Sequence, residues 1–304
     1  MDAATERKGA HRNIMILNTI SAHSEKPVDR KNTLSSDPHE IRVISITSGK
    51  GGVGKSNIVL NLALIFEKMA LRVLIMDTNM GLSNIDILSG VQPRYNISHL
   101  LTGEKKLQDI LLQGPGNIHI LAANVGMREF CHLKAEQKLF LLDVFDNWRP
   151  EFDILLIDTA PGISDNVLYF NIAAQEKVVV ITPEPTSVED AATLINILRN
   201  DYYEKHFKIV VNGTKNAREG RDVFVGLSNT VDQKVGSVSL DYLGYVPFDP
   251  NISEAVKQQK PVVLAFPGTP ASHKLMILGR KLASSSTPPA NGNIKFFWRR
   301  FLNV

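Results

Sequence analysis

Residues 48–57 read SGKGGVGKSN, a glycine-rich turn that carries two lysines. The turn follows the β-branched run RVISIT and precedes a helical pattern, and it matches G-x-x-x-x-G-K-[ST] from Gly49 to Ser56. In this strand–loop–helix setting, glycines let backbone N–H groups converge on phosphate oxygens, and the N-terminus of the helix adds positive potential. The sequence therefore predicts a phosphate-binding loop. Its predicted nucleotide contacts are Gly49, Lys50, Gly51, Gly52, Val53, Gly54, Lys55, Ser56 and Asn57.

Two aspartates close strands that we expect beside this loop. Asp77 ends RVLIMD and Asp158 ends DILLID, and ligands of open α/β sheets bind where the carboxyl ends of the strands meet. We expect Ser56, Asp77 and Asp158 to hold Mg²⁺, directly or through its waters. Lys55 is expected between the β- and γ-phosphates. The alternative for either aspartate is a helix cap or a turn.

Residues 41–283 alternate short β-branched runs with helical stretches. Seven runs have the near-continuous Val, Ile and Leu content of strands buried on both faces; they are RVISIT, RVLIM, NIHIL, FDILLID, KVVVIT, FKIVVN and DYLGYV. The predicted helices include 55–69, 135–147, 188–200 and 271–283. This alternation predicts an α/β domain with a doubly wound, mainly parallel sheet and right-handed crossovers.

The segments that flank this domain differ from it in composition. Residues 1–40 are polar and mixed in charge, so we expect them to be mostly disordered, with a short docking helix at 13–20 as one exception. Residues 284–293 (SSSTPPANGN) have the composition of a linker.

The closing segment 294–304, IKFFWRRFLNV, has the pattern of an amphipathic helix. Apolar residues on one side oppose basic residues on the other, which is what a helix at a membrane surface requires. The alternative is a terminal helix that packs in a groove on its own core. The predicted membrane-facing residues are Ile294, Phe297, Trp298, Phe301 and Leu302.

Composition excludes several classes of function. The net charge of +3 is too small to argue for nucleic-acid binding. The single cysteine, Cys131, rules out an internal disulfide and a CxxC metal pair, and we interpret it as a half-buried thiol rather than a nucleophile. No apolar run approaches the roughly 20 residues that span a bilayer. We therefore expect a cytoplasmic protein.

Several segments together resemble one known family. SGKGGVGKS, DTNMGLSNIDILSG and IDTAPGI are similar to the MinD/ParA family of P-loop ATPases, whose deviant Walker A loop carries a second lysine. Within that family, YLGYVPFDPNISEAVKQQKPV and the closing IKFFWRRFL resemble the flagellar-number regulators FlhG, also called FleN or YlxH. The resemblance covers about residues 41–304.

The resemblance implies a homodimer that forms with ATP and Mg²⁺. In the family the first lysine of the loop contacts the phosphates of the partner's ATP, which gives Lys50 the role of linking dimerisation to ATP; the alternative is a solvated loop lysine. Asn212 and Pro247 fall where relatives build the adenine pocket, although either is also compatible with an ordinary loop position. Two tails on one ATP dimer would bind a membrane better than one, which implies a peripheral location at the inner face of the cell membrane.

Two features depart from the family pattern. Relatives carry Asp-x-Asp where this chain has Asp77-Thr78-Asn79. An asparagine hydrogen-bonds a water but does not accept its proton, so we expect slow hydrolysis of ATP to ADP. Residues 1–40 also lack the DQAxxLR segment of many relatives. The predicted catalytic residues are Lys50, Lys55, Asp77 and Asn79.

The resemblance thus implies an ATPase that limits flagellar number or placement, with the GTPase FlhF, a flagellar transcription regulator or flagellar switch proteins as partners. The first rival is a MinD- or ParA-type positioning ATPase that acts on the division site or on DNA. A second is an ATP-binding regulator with negligible turnover. A third is a metabolic P-loop enzyme or metal-cluster carrier, which needs a substrate-binding insertion or paired cysteines.

Overall fold

The computed structural model describes residues 41–79, 84–95, 97–122 and 152–285, with six further positions between 136 and 144. Several sequence predictions lie wholly or largely outside these residues, so the structure does not test them. They are the tail 1–40, the helix 135–147, Cys131, the linker 284–293 and the closing helix 294–304.

Eight strands in the described part of the chain form one sheet. They are β1 (Arg42–Thr47), β2 (Val73–Asp77), β3 (Leu112–Gln113), β4 (His119–Leu121), β5 (Ile154–Asp158), β6 (Glu176–Ile181), β7 (His206–Thr214) and β8 (Ser239–Pro247). Their order across the sheet is β3-β4-β2-β5-β1-β6-β7-β8. Every neighbouring pair is parallel except β3 with β4, which run antiparallel at one edge.

Helices cover both faces of this sheet. Those with described bounds are α1 (Lys55–Lys68), α2 (Ile85–Ser89), α3 (Ile97–Leu101), α4 (Leu107–Ile110), α5 (Asp165–Ala173), α6 (Pro185–Tyr202), α7 (Ala217–Lys234), α8 (Pro250–Lys257), α9 (Val262–Ala265) and α10 (Pro270–Ser284). Among them, none combines the length and apolar character that a bilayer span requires.

Each central strand contributes side chains to two separate cores, because successive residues of a strand point to opposite faces. In β1, Ile44 and Ile46 pack in the core beneath α1 and α10. Val43 belongs to a core on the opposite face, which includes Phe170 of α5. Burial on both faces explains the near-continuous apolar runs. The prediction of a doubly wound, mainly parallel sheet is confirmed.

The strand order creates a crevice at the carboxyl edge of the sheet. Strands β1 and β6 are neighbours, but the chain leaves β1 towards β2 on one side and leaves β6 towards β7 on the other. Ligands of open α/β sheets bind at such a switch point. The glycine-rich loop 48–54 follows β1 directly, so the topology brings it to the mouth of this crevice.

The opposite, amino-terminal edge of the sheet holds the end of α10. Glu176 is buried and forms ion pairs with Arg42 and Lys208. The Arg42 guanidinium also donates to the Leu282 carbonyl at 2.7 Å and to the Ser285 hydroxyl at 2.9 Å. Two positive charges share this one buried carboxylate, so loss of Glu176 would leave both of them uncompensated. The chain therefore reaches Ser285 at the edge opposite the glycine-rich loop.

Candidate nucleotide-binding site

The loop between β1 and α1 has a backbone that glycine residues make possible. Gly52 and Gly54 have φ angles of 78° and 90°, in the left-handed region that side chains with a Cβ rarely adopt. Position 49 requires glycine for a steric reason instead, because a Cβ there would lie 2.3 Å from the Asp190 carbonyl. The loop is thus curled tightly and lies directly against the first turns of α6.

A cavity of about 500 Å³ opens above this loop. Segments from five parts of the chain meet around it: the loop with the start of α1, the turn after β2, helix α2, the turn after β5, and helix α8. Its lining residues are Gly51, Gly52, Gly54, Lys55, Ser56, Asn57, Asn79, Asn84, Ile87, Leu88, Thr159, Pro161 and Val256. The volume suits a nucleotide-sized ligand.

Lys55 lies where the motif requires it. The residue is 7% exposed, and its Nζ donates to the Ser48 hydroxyl at 2.8 Å. Burial lowers the pKa of the Lys55 ammonium, and the Asp158 carboxylate opposes that shift. This hydrogen bond uses one of the three donors of the ammonium, so donors remain for phosphate oxygens.

Asp77 and Asp158 are directly opposite each other in the register of β2 and β5, and each is 1% exposed. Burial raises the pKa of Asp158 to about 7, and the charge of Asp77 adds to this effect; a hydrogen bond from Ser56 and the charge of Lys55 oppose it. The two strand-end carboxylates therefore form a cluster in which full ionisation is unfavourable.

These residues fit a divalent cation. The Oδ1 atom of Asp158 is buried and has no hydrogen-bond partner among the described residues. The Ser56 hydroxyl and the Asp77 carboxylate lie beside it. Oxygen donors of this kind are what Mg²⁺ prefers, and a cation here would compensate the buried negative charge. Ser56, Asp77 and Asp158 would therefore hold Mg²⁺.

Asn79 follows β2 and lines the cavity. Its backbone N–H donates to the Asp77 Oδ1 at 2.9 Å, so the turn after β2 is folded back on the aspartate. This hydrogen bond fixes the position of the Asn79 backbone relative to the Asp77 carboxylate. Asn79 and the phosphate loop therefore line the same cavity.

Lys50 has a different environment from Lys55. Its side chain is 34% exposed and forms an ion pair with Glu184, the residue before α6. Its Nζ also donates to the Thr186 hydroxyl at 3.0 Å. Neither Glu184 nor Thr186 was among the predicted site residues. In the single chain Lys50, the first lysine of the loop, is thus held against α6 at the protein surface.

Asn212 and Pro247 lie at the ends of β7 and β8. The Asn212 side-chain amide donates to the Val53 carbonyl at 2.8 Å, which brings it against the phosphate loop. Pro247 ends β8 opposite Thr214. The predicted membrane-facing residues of the closing helix lie outside the described part of the chain.

The strand–loop–helix with its buried lysine, and the two aspartates at adjacent strand ends, define a P-loop nucleoside triphosphatase site. Comparisons with known proteins agree. A family profile for ParA, described as NUBPL iron-transfer P-loop NTPase, matches residues 40–283. The antiactivator FleN of Pseudomonas aeruginosa is 37% identical over 265 residues, which are 87% of this chain and 94% of that protein.

Further relatives support the same assignment. The flagellum site-determining protein YlxH of Helicobacter pylori is 29% identical over 86% of this chain and 90% of its own length. Among solved structures, the MinC:MinD complex of Aquifex aeolicus matches with a TM-score of 0.63 and 25% identity, covering 82% of this chain and 99% of that one. The chain belongs to the ParA/MinD family of P-loop NTPases. The family resemblance predicted from the sequence is confirmed.

The raised pKa of Asp158 leads to a prediction about the thermal stability of the chain in the absence of nucleotide. An acid whose pKa is about 7 in the folded chain, against 3.8 ordinarily, stabilises the fold below about pH 4 and loses that contribution as the pH rises through 7. Asparagine resembles the protonated acid, so Asp158→Asn should unfold several degrees above the native chain at pH 8. Thermal unfolding at pH 8 and pH 5 measures this difference, which should narrow at the lower pH.

A matched control is Asp241→Asn, since Asp241 is exposed on the edge strand β8. Its unfolding temperature should stay close to that of the native chain at both pH values. An Asp158→Asn protein that melts at or below the native temperature at pH 8 would contradict the account of the buried carboxylates.

Proposed function

We propose that this protein is an ATP-dependent dimerising switch that regulates flagellar number or placement, hydrolyses ATP slowly and associates with the membrane in its ATP form. The observation that carries the proposal is the pair of lysines in one loop. Lys55 is buried at the phosphate position, whereas Lys50 is partly exposed at the rim. One chain needs only Lys55 for its own phosphates, and Lys50 is therefore available to a second nucleotide.

ATP chemistry follows from the residues around the cavity. The Lys55 ammonium and the loop N–H groups bind the β- and γ-phosphate oxygens and neutralise charge that develops on them. Mg²⁺, when held by Ser56, Asp77 and Asp158, supplies further positive charge at those phosphates. Asn79 orients the attacking water by hydrogen bonding. Since an amide takes no proton, turnover is slow.

Dimerisation requires Lys50 to change partners. Its ion pair with Glu184 joins side chains that are 34% and 60% exposed. A pair of this kind contributes about 0–1 kcal/mol, because water screens the charges. Loss of this weak pair therefore costs little, and a triphosphate enclosed between two chains offers Lys50 several negative charges in a space where water screens them less. The ion pair supports a switch in which Lys50 rests on its own chain until ATP and a second copy are present.

The flagellar role rests on the relatives that align over most of their length. FleN is named an antiactivator, and YlxH is named a flagellum site-determining protein. We propose a flagellar transcription regulator as the first partner, because an antiactivator acts against an activator. The GTPase FlhF and flagellar switch proteins are the further candidates. The chain has one cysteine, which does not support the iron-transfer activity in the description of the family profile.

The membrane association rests on the closing segment 294–304. Its apolar and basic residues separate on a helical projection. The last described residue before this segment, Ser285, lies at the sheet edge opposite the loop. Peripheral attachment to the inner face of the cell membrane would then follow from two tails on one dimer.

A second candidate function is placement of the division site. Septum site-determining MinD of Bacillus subtilis is 28% identical over 81% of this chain. The identity to FleN is higher, at 37%, and this difference favours the flagellar function. A regulator that binds ATP without turnover is the third candidate, and Asn79 is the residue that favours it.

Restoring the family carboxylate tests the catalytic part of the proposal. Asn79→Asp should raise steady-state phosphate release at least about tenfold, because a carboxylate both orients the water and accepts its proton. The matched control is Asn84→Asp, which adds a carboxylate to the same cavity from α2 and should not raise the rate. Faster turnover only in Asn79→Asp supports the role of Asn79; an unchanged or lower rate at saturating ATP contradicts it.

Cells that carry Lys55→Ala test the biological role. This variant loses the buried ammonium that binds phosphate, so we expect more flagella per cell, counted by electron microscopy, at an unchanged protein level. Lys68→Ala alters an exposed lysine at the end of α1 and should leave the count normal. Normal flagella together with misplaced septa in the Lys55→Ala strain would favour the division-site function instead.

A further inference from the structure

We propose that Asn212 is a positioning residue of the phosphate loop: it orients the Val53–Gly54 peptide group so that the Gly54 N–H faces the phosphates. This inference rests on the proposed ATP site, and it goes beyond contact with the adenine base. The observation behind it is the hydrogen bond from the Asn212 Nδ2 to the Val53 carbonyl, at 2.8 Å. The two residues are 159 positions apart in the chain.

Because a peptide group is planar, this contact also fixes the direction of the Gly54 N–H. In a planar trans peptide the C=O and the N–H point in opposite directions, and no peptide bond is cis in the described part of the chain. When the Val53 carbonyl points at Asn212, the N–H of Gly54 must point away from Asn212. Gly54 lines the cavity above the loop. The side chain of Asn212 thus holds the peptide from behind while its N–H faces the ligand.

The fit between Asn212 and the loop is close. A Cβ on Gly54 would lie 2.4 Å from the Asn212 Nδ2, and the φ angle of Gly54 is 90°. Only glycine lets the amide approach the backbone at this point. Gly54, the second glycine of the motif, is therefore required both by its positive φ angle and by its close contact with Asn212 of β7.

Strand β7 is shaped to present this side chain. Its pairing with β8 is irregular between Asn212 and Thr214, and Gly213 has a φ angle of 74°. Irregularities of this kind re-aim a side chain at the end of a strand. The N–H of Phe248 donates to the Thr214 carbonyl at 2.7 Å, which fastens the end of β7 to the segment after β8. The backbone that follows Asn212 is therefore fastened to the segment after β8.

The hydrogen bond also strengthens the donor on the other side of the peptide. Acceptance at a carbonyl polarises the amide group, so its N–H becomes a better donor. The amide also has a second N–H and an Oδ1 that this hydrogen bond does not use, and they remain for the base. One side chain then connects the base with the phosphates, since it contacts the loop that binds them.

Inorganic tripolyphosphate separates this role from base recognition, because it has no base. Calorimetric titration should compare Mg²⁺-tripolyphosphate and Mg²⁺-ATP on the native chain, Asn212→Leu and Asn212→Gln. Leucine has the same number and branching of side-chain heavy atoms as asparagine but no donor, and glutamine retains a donor. Asn212→Leu should weaken tripolyphosphate about fivefold to tenfold, as expected for the loss of one hydrogen bond. Asn212→Gln should restore affinity to within about threefold of native.

The control is Asn200→Leu, an exposed position on α6, which should leave both affinities unchanged. Thermal unfolding of each variant without ligand confirms that the fold is intact. If Asn212→Leu weakens ATP but leaves tripolyphosphate unchanged, or if Asn212→Gln is as weak as Asn212→Leu, the positioning role is wrong. A native chain that binds neither ligand overturns this inference together with the proposed function.

Discussion

The structure depends on a charge cluster at the carboxyl edge of the sheet, in which one buried lysine faces two buried aspartates. Lys55, Asp77 and Asp158 are all less than a tenth exposed, and burial opposes the charged form of Lys55 and of Asp158. Such a cluster costs folding free energy unless other charges enter it. A nucleotide with its metal supplies both signs, so binding of the two should offset the folding cost of the cluster. Stability and ligand binding are coupled at this point.

The two lysines of the loop differ in role because the fold places them in different environments. Lys55 begins α1 and is enclosed between the sheet and the helix, whereas Lys50 lies at the rim against α6. A buried charge responds to what enters its own cavity, and an exposed one responds to what approaches the surface. In the proposed mechanism the same loop senses both the nucleotide of its own chain and the presence of a second chain, and the closing segment 294–304 carries that state to the membrane.

Local signals predicted much of this arrangement. The motif predicts the loop, the apolar runs predict the strands, and the polar residues that end those runs predict the strand-end aspartates. Each of these signals lies within about ten residues of sequence. Contacts between distant segments did not follow: Lys50 and Glu184 are 134 positions apart, and Asn212 and Val53 are 159 apart. Helix α7 was not among the predicted helices, since its sequence AREGRDVFVGLSNTVDQK contains two glycines and many polar residues. Strand β3 has only two residues, too few for a periodic signal.

The central claim is that Lys50 links ATP to dimerisation. Light scattering of the native chain and of Lys50→Ala, with ADP or with ATP and Mg²⁺, measures it directly. The account predicts a monomer with ADP, a doubled mass with ATP for the native chain, and a monomer in both conditions for Lys50→Ala although it still binds ATP. A native chain that stays monomeric with bound ATP, or a Lys50→Ala variant that dimerises as well as the native chain, would contradict the claim.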